Sequence, residues 1–185
     1  MRRVFEERWR DAPQDPEPFD FEARRVLLLG ALPVDGEPWL DLGCGAGRFT
    51  GLAPARAIGV EVAQAALERA RRNVPEADFR LMDGDTIPVA HAAVGLVWCS
   101  EVLEHVPDAL GLLQECRRVL RPEGLLLLTT PGFPWWRRTS RELDPLGEHL
   151  RFFTRRTLAV ALEAAGFSEV AVEGRSRLVA RGLRP

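Results

Sequence analysis

Two rhythms alternate along the chain. Short stretches that are apolar at nearly every position, among them Trp39–Leu42, Ala57–Val60 and Leu125–Thr129, are followed by longer ones in which apolar and charged residues recur at helical spacing. Near-continuous apolar strands suit a parallel sheet covered on both faces. Their alternation with helices predicts an α/β, doubly wound architecture. Two helices, about Val4–Arg10 and Phe21–Leu32, precede the first strand and are parted by the proline-rich break Asp11–Pro18. A further helix is expected over Ala63–Asn73. Near the end, Thr154 can cap a helix that stops before Gly166. Two short strands follow, Glu169–Val172 and Leu178–Arg184. The link between them is too short for a parallel crossover, so they should form an antiparallel hairpin. No repeat or low-complexity linker divides the chain, and residues 1–185 read as one domain.

Candidate chemistry begins where the first strand ends. Asp41-Leu42-Gly43-Cys44-Gly45-Ala46-Gly47 is an acid followed by three alternating glycines. Such a turn lets a ligand approach the backbone with no Cβ in the way. The dinucleotide fingerprint is G-x-G-x-x-G, whereas this run is the shorter G-x-G-x-G. Glu61 stands at the end of the second strand, where Rossmann-type sites place an acid for a ribose diol roughly 20 residues past the glycines. The other reading of Glu61 is an exposed acid that starts the next helix and favours its dipole. Two acids then frame a glycine in Asp83-Gly84-Asp85-Thr86-Ile87-Pro88, which also reads as a plain Asp-Gly turn.

Two more segments complete the set. One is Val94-Gly95-Leu96-Val97-Trp98-Cys99-Ser100-Glu101-Val102-Leu103-Glu104-His105-Val106-Pro107-Asp108. The other is Arg117-Arg118-Val119-Leu120-Arg121-Pro122-Glu123-Gly124. In this order and spacing the segments resemble the class I S-adenosylmethionine-dependent methyltransferases, in particular those related to the ubiquinone and menaquinone biosynthesis enzymes (types 11 and 12). The resemblance covers roughly Trp39 to Phe167. Its last segment is usually written R-V-L-x-P-G-G, and this chain has Glu123 at the first of those glycines.

The resemblance implies a mostly parallel seven-stranded sheet in the order 3-2-1-4-5-7-6, the last strand antiparallel, with helices on both faces. It implies S-adenosylmethionine as cofactor. Asp83 would lie beside the adenine amino group, flanked by Gly84 and Asp85, while Glu61 and Val62 would meet the ribose. The methionine ammonium needs acceptors, and the Gly43 carbonyl with Asp41 fits. The methionine carboxylate would lie near the N-terminus of a helix after Gly47, with Gly45 completing the turn. Ser100 and Glu101 would border the methyl group. No metal site is expected.

Methyl transfer is an in-line displacement at an activated carbon, so orientation matters more than acid–base help. A base is needed only if the acceptor keeps its proton at working pH. His105 and His149 are the candidates, and His105 also reads as a packing or capping residue. Pro131–Leu150 is long for a connection after a strand and carries Phe133, Trp135, Trp136, Arg137, Arg138 and Arg141. It is expected to help enclose the acceptor, or else its tryptophans anchor it to the core. Residues 1–20, through Phe5 and Trp9, either close the site as a lid or simply pack against it.

Composition narrows the partners. The net charge is -2, with no global pull toward nucleic acid or anionic membrane. No stretch approaches the roughly 20 apolar residues of a membrane span, and the start lacks a signal-peptide core. Three cysteines argue against a disulfide framework and for a reducing cytoplasm. The expected activity is methylation of a small molecule. Two alternatives stand beside it. One is an RNA methyltransferase using Arg137, Arg138, Arg141, Arg151, Arg155 and Arg156. The other is a catalytically silent S-adenosylmethionine-binding partner of another enzyme. The oligomeric state is left open.

Overall fold

The computed structural model describes residues 2–18, 20–33, 36–133 and 149–185. Its strands are β1 (Trp39–Leu42), β2 (Ala57–Glu61), β3 (Asp78–Leu81), β4 (Val94–Ser100), β5 (Leu120–Pro131), β6 (Ser168–Gly174) and β7 (Arg177–Leu183). They form one sheet in the order β3-β2-β1-β4-β5-β7-β6. Every pairing from β3 to β5 is parallel, and β7 runs antiparallel to both of its neighbours. The five described α-helices are α1 (Arg2–Asp11), α2 (Phe21–Ala31), α3 (Gln64–Asn73), α4 (Ala109–Val119) and α5 (Arg155–Ala164).

Side-chain alternation divides the central strands between two cores. Leu40, Leu42, Val97, Cys99, Leu126 and Leu128 share one core with Leu112, Leu113 and Cys116 of α4 and Leu158 and Leu162 of α5. Trp39, Leu96, Trp98 and Leu127 point the other way and pack with Phe49 and with Leu28 of α2. Thr154 caps α5 by accepting from the Thr157 N–H, and the Thr157 hydroxyl accepts in return from the Thr154 N–H. Because β1 lies between β2 and β4, with Leu42 opposite both Val60 and Cys99, the ends of all three strands open onto one sheet edge. Ligands bind at this edge, outside the carboxyl ends of the strands, in open α/β sheets.

Two expectations need correction. First, β5 starts at Leu120 rather than Leu125. Leu120 pairs with Val94, and the register then shifts before Leu125 meets Leu96. The extra residues are held from the far side, where the Glu123 N–H donates to the Arg184 carbonyl at 2.7 Å. Second, no α-helix follows Gly47. A single 3-10 turn, Thr50–Leu52, leads directly to β2. Gly51 and Pro54 interrupt the short stretch between Gly47 and Ala57, and proline lacks the N–H that a helix requires.

Glu123 has φ 61°, the left-handed region that costs a side-chain-bearing residue about 1–2 kcal/mol. Glu123→Gly should relieve that strain and return part of it as unfolded-chain entropy. The expected net gain is about 0.5–1 kcal/mol, read from urea unfolding midpoints. A loss of stability would mean that the Glu123 side chain contributes more than its backbone costs.

Candidate functional site

The glycine turn after β1 is tied to β2 by Glu61. One carboxylate oxygen accepts from the Gly45 N–H at 3.1 Å. The other accepts from the N–H groups of Val62 at 2.7 Å and Ala63 at 3.1 Å. Ala63 is the N-cap of α3, so one side chain joins the turn, the end of β2 and the start of a helix. Glu61 is buried rather than exposed, which rules out a solvent-facing helix starter. Burial raises its pKa while the three N–H donors oppose the rise. Gly43 and Gly45 both have positive φ. A Cβ on Gly43 would stand 2.4 Å from Val102 Cγ2, and one on Gly45 2.8 Å from the Trp9 ring.

Asp41, Gly43, Gly45, Glu61, Val62, Gly84, Asp85, Ser100, Glu101, His105 and His149 all line one cavity of about 1120 Å³. The structure thus brings together most of the residues singled out from the sequence. Two stand apart. Gly47 lies behind the turn, where a Cβ would meet Phe79 and Val74. Asp83 is exposed, forms an ion pair with Arg2 and is not on the cavity wall, although Met82, Gly84, Asp85 and Thr86 are. Without a helix after Gly47, the dipole expected for the methionine carboxylate is reduced to one 3-10 turn. Asp41 is buried and accepts from the Thr50 hydroxyl at 2.6 Å, so it braces that turn. Burial pushes its carboxyl up to about 7.

Opposite the glycine turn is a polar wall that pattern reading missed. Arg24 of α2 is buried and donates to Ser100 Oγ at 2.8 Å. Ser100 and Thr129 share a hydroxyl hydrogen bond of 2.8 Å, and Thr129 donates to Glu101 at 2.9 Å. Since each hydroxyl has one proton, the chain runs from Arg24 through Ser100 and Thr129 to Glu101. Arg177 of β7 donates to the same carboxylate at 3.2 Å. The signal for Arg24 was present in the sequence. It occupies the apolar stripe Phe21, Arg24, Leu28, where a charge needs a buried partner.

Beyond Glu101 the 3-10 turn Leu103–His105 carries a fully buried glutamate, Glu104, whose Oε2 accepts from Thr130 at 2.9 Å. Burial, with the Glu101 carboxylate nearby, pushes Glu104 up to about 8. His105 and His149 lie ring to ring at 4.8 Å, a pairing that their separation in sequence conceals. Phe5 of α1 packs edge-on against His105 at 5.3 Å. The rest of α1 crosses the cavity mouth, with Glu6 accepting from the Ala65 N–H and Arg69 donating to the carbonyls of Trp9 and Ala12. Trp135, Trp136, Arg137, Arg138 and Arg141 lie outside the described residues.

A family described as a methyltransferase domain matches residues 40–128, the span from β1 to β5 that builds this edge. Over these residues the chain is similar to S-adenosylmethionine-dependent methyltransferases. A malonyl-[acyl-carrier protein] O-methyltransferase from Methylococcus capsulatus is 30% identical over 168 residues, 84% of this chain and 61% of that protein. A ubiquinone biosynthesis O-methyltransferase from Cereibacter sphaeroides is 34% identical over 114 residues, 56% of this chain and 44% of the relative. The chain therefore spans only about half the length of these curated relatives. Among solved structures, an S-adenosylmethionine-dependent methyltransferase from Thermotoga maritima shares the fold with a TM-score of 0.74 at 20% identity. That match covers 90% of each chain. Among the described residues, no helix is long and apolar enough to cross a membrane.

The glycine turn makes a pH prediction through Asp41. Its carboxyl titrates near 7 when folded and near 3.8 in the unfolded chain. Between those values the folded state holds a proton that the unfolded state has lost, so stability falls as pH rises. Asp41 contributes about 1.4 kcal/mol of this fall per pH unit. Asp41→Asn removes the contribution. Urea unfolding of the variant from pH 4 to 7 should show a shallower decline than the parent. Equal slopes would mean that Asp41 is ionised throughout this range in the folded protein.

Proposed function

We propose that this protein transfers the methyl group of S-adenosylmethionine to a small-molecule acceptor. The observation that carries this reading is the convergence of Gly43, Gly45 and Glu61 on a cavity that continues past Ser100 and Glu101 to His105 and His149. At about 1120 Å³ the cavity exceeds the roughly 300–1,000 Å³ of a typical ligand pocket. That volume supports a cofactor and an acceptor side by side.

The bound cofactor supplies a methyl group on a positively charged sulfur, which leaves with the bonding electron pair as the acceptor's lone pair forms the new bond. The chain's own residues orient the two partners and exclude water. Beside its three backbone donors Glu61 keeps a spare lone pair on the oxygen that accepts from Gly45, which fits it to accept from a ribose hydroxyl. Gly84 and Asp85 line the cavity where the adenine is expected, and Asp83 can join them on releasing Arg2. Glu101 supplies negative charge near the sulfonium. His105 or His149 can take a proton from an acceptor that still carries one. We infer that α1 acts as a lid, since none of its residues is buried and Trp9 stands over the Gly45 backbone. Three buried free thiols fit a reducing compartment, and we assign the protein to the cytoplasm.

Calorimetric titration tests the reading. S-adenosylhomocysteine should bind and NAD should not, and binding of NAD alone would overturn the assignment. Glu61→Ala should weaken S-adenosylhomocysteine by about 1–3 kcal/mol. It should also lower Tm, because three backbone donors lose their acceptor. Unchanged affinity with a lowered Tm would leave Glu61 a purely structural role. Hydrogen exchange supplies a second test. The α1 amides should exchange faster than the β4 amides in the empty protein and slow down when S-adenosylhomocysteine is added. Equal protection of α1 and β4 without ligand would end the lid idea.

A further inference from the structure

We propose that Glu104, His105 and His149 form a binding site for a divalent first-row transition-metal ion on the cavity wall. One potential ligand atom from each residue lies within 4.8 Å of the others. Glu104 Oε1 and His105 Nε2 are 3.8 Å apart. Donors around one such ion at about 2.0–2.2 Å sit roughly 3–3.5 Å from each other, so small side-chain rotations close the set.

The cluster is built by tertiary contacts. The Leu150 N–H donates to the Glu104 carbonyl at 2.9 Å, which pins the residue after His149 to the turn that carries the other two donors. Nearby, Gly132 and Phe153 form a bridge, and the Phe133 N–H donates to the Phe153 carbonyl at 2.7 Å. Phe5 and Phe152 flank the two imidazoles edge-on.

The second observation is the state of Glu104. Its residue is 0% exposed. Thr130 donates to Oε2 from behind, and Oε1 has no hydrogen-bond partner among the described residues. An open carboxylate oxygen in a buried site calls for a compensating charge or donor, and a metal ion answers that need together with both imidazoles. Two nitrogens and one carboxylate suit zinc, manganese, iron or cobalt, whereas magnesium and calcium prefer all-oxygen surroundings. Three protein donors leave coordination positions open, and all three residues line the cavity. On the methyl-transfer reading above, an open position would take an acceptor oxygen and lower the pKa of its hydroxyl, in place of the proton uptake assigned there to a metal-free His105 or His149. The acceptor class would then be an alcohol, phenol or enol.

Cobalt(II) is the probe. The whole chain, stripped with EDTA and free of cofactor, is titrated while visible absorption is followed, and Tm is measured with and without the ion. The expected result is one saturable equivalent with ligand-field bands and a raised Tm. His149→Ala and Glu104→Gln should each weaken binding at least tenfold. The His149 variant guards against misfolding of the more deeply buried Glu104 variant. Absence of saturable binding overturns the site, as does binding undiminished in a folded His149 variant or dominated by thiolate charge-transfer bands. S-adenosylhomocysteine is titrated separately, so a protein that binds it but not cobalt loses only the metal site.

Discussion

Burying a carboxylate is costly, and Glu61 is tolerated because three main-chain N–H groups converge on it. The remainder of the site depends on that exchange. The donors come from the glycine turn, from the end of β2 and from the entry to α3, three pieces that would otherwise present unsatisfied backbone at the open edge of the sheet. Asp41 repeats the device one strand away, with Thr50 as its partner. Two acids of opposite aspect, one accepting from main chain and one from a hydroxyl, thus hold a turn that has almost no side chains of its own.

The polar wall answers a different problem. Its members come from parts of the chain with no common sequence neighbourhood: Arg24 from α2, Ser100 and Glu101 from the end of β4, Thr129 from β5 and Arg177 from β7. Arg177 also donates to Asp20, just ahead of α2. The hairpin at the far edge and the helices before β1 are therefore joined through the cavity itself. Altering the acceptor side by changing one of these groups would disturb a connection that spans the sheet, and truncating either arginine would take a donor from a half-buried acceptor.

Local patterns were legible, and long-range pairings were not. β1 falls at Trp39–Leu42 as its apolar run indicates, and the Thr154 cap and Gly166 stop bracket α5 as expected. The strand order followed from family resemblance and from the short link before β7. The expected start of β5 at Leu125 missed Leu120 because an irregular register, not hydrophobicity, makes the earlier pairing with Val94. A helix after Gly47 was expected by analogy, but Gly51 and Pro54 shorten it to one turn. Asp83 matches the family position and yet faces Arg2, because a partner from α1 sits within reach of an exposed loop. The meeting of His105 and His149 had no signal in either segment alone. It depends on where the chain returns to the sheet after β5.

The placement of α1 has a kinetic side. Trp9 occupies the space above Gly45, and the helix is tethered to the same chain, so as a lid it would act as an internal competitor whose local concentration never dilutes. If α1 is the lid proposed above, an incoming cofactor would meet only the fraction of molecules in which the helix has lifted, and its apparent affinity would be reduced by that fraction. The departing product would meet the same gate from inside. On that proposal, the strength of a few contacts, Arg69 to the Trp9 and Ala12 carbonyls and Glu6 to the start of α3, would set a ceiling on turnover that no change at the reacting atoms could lift.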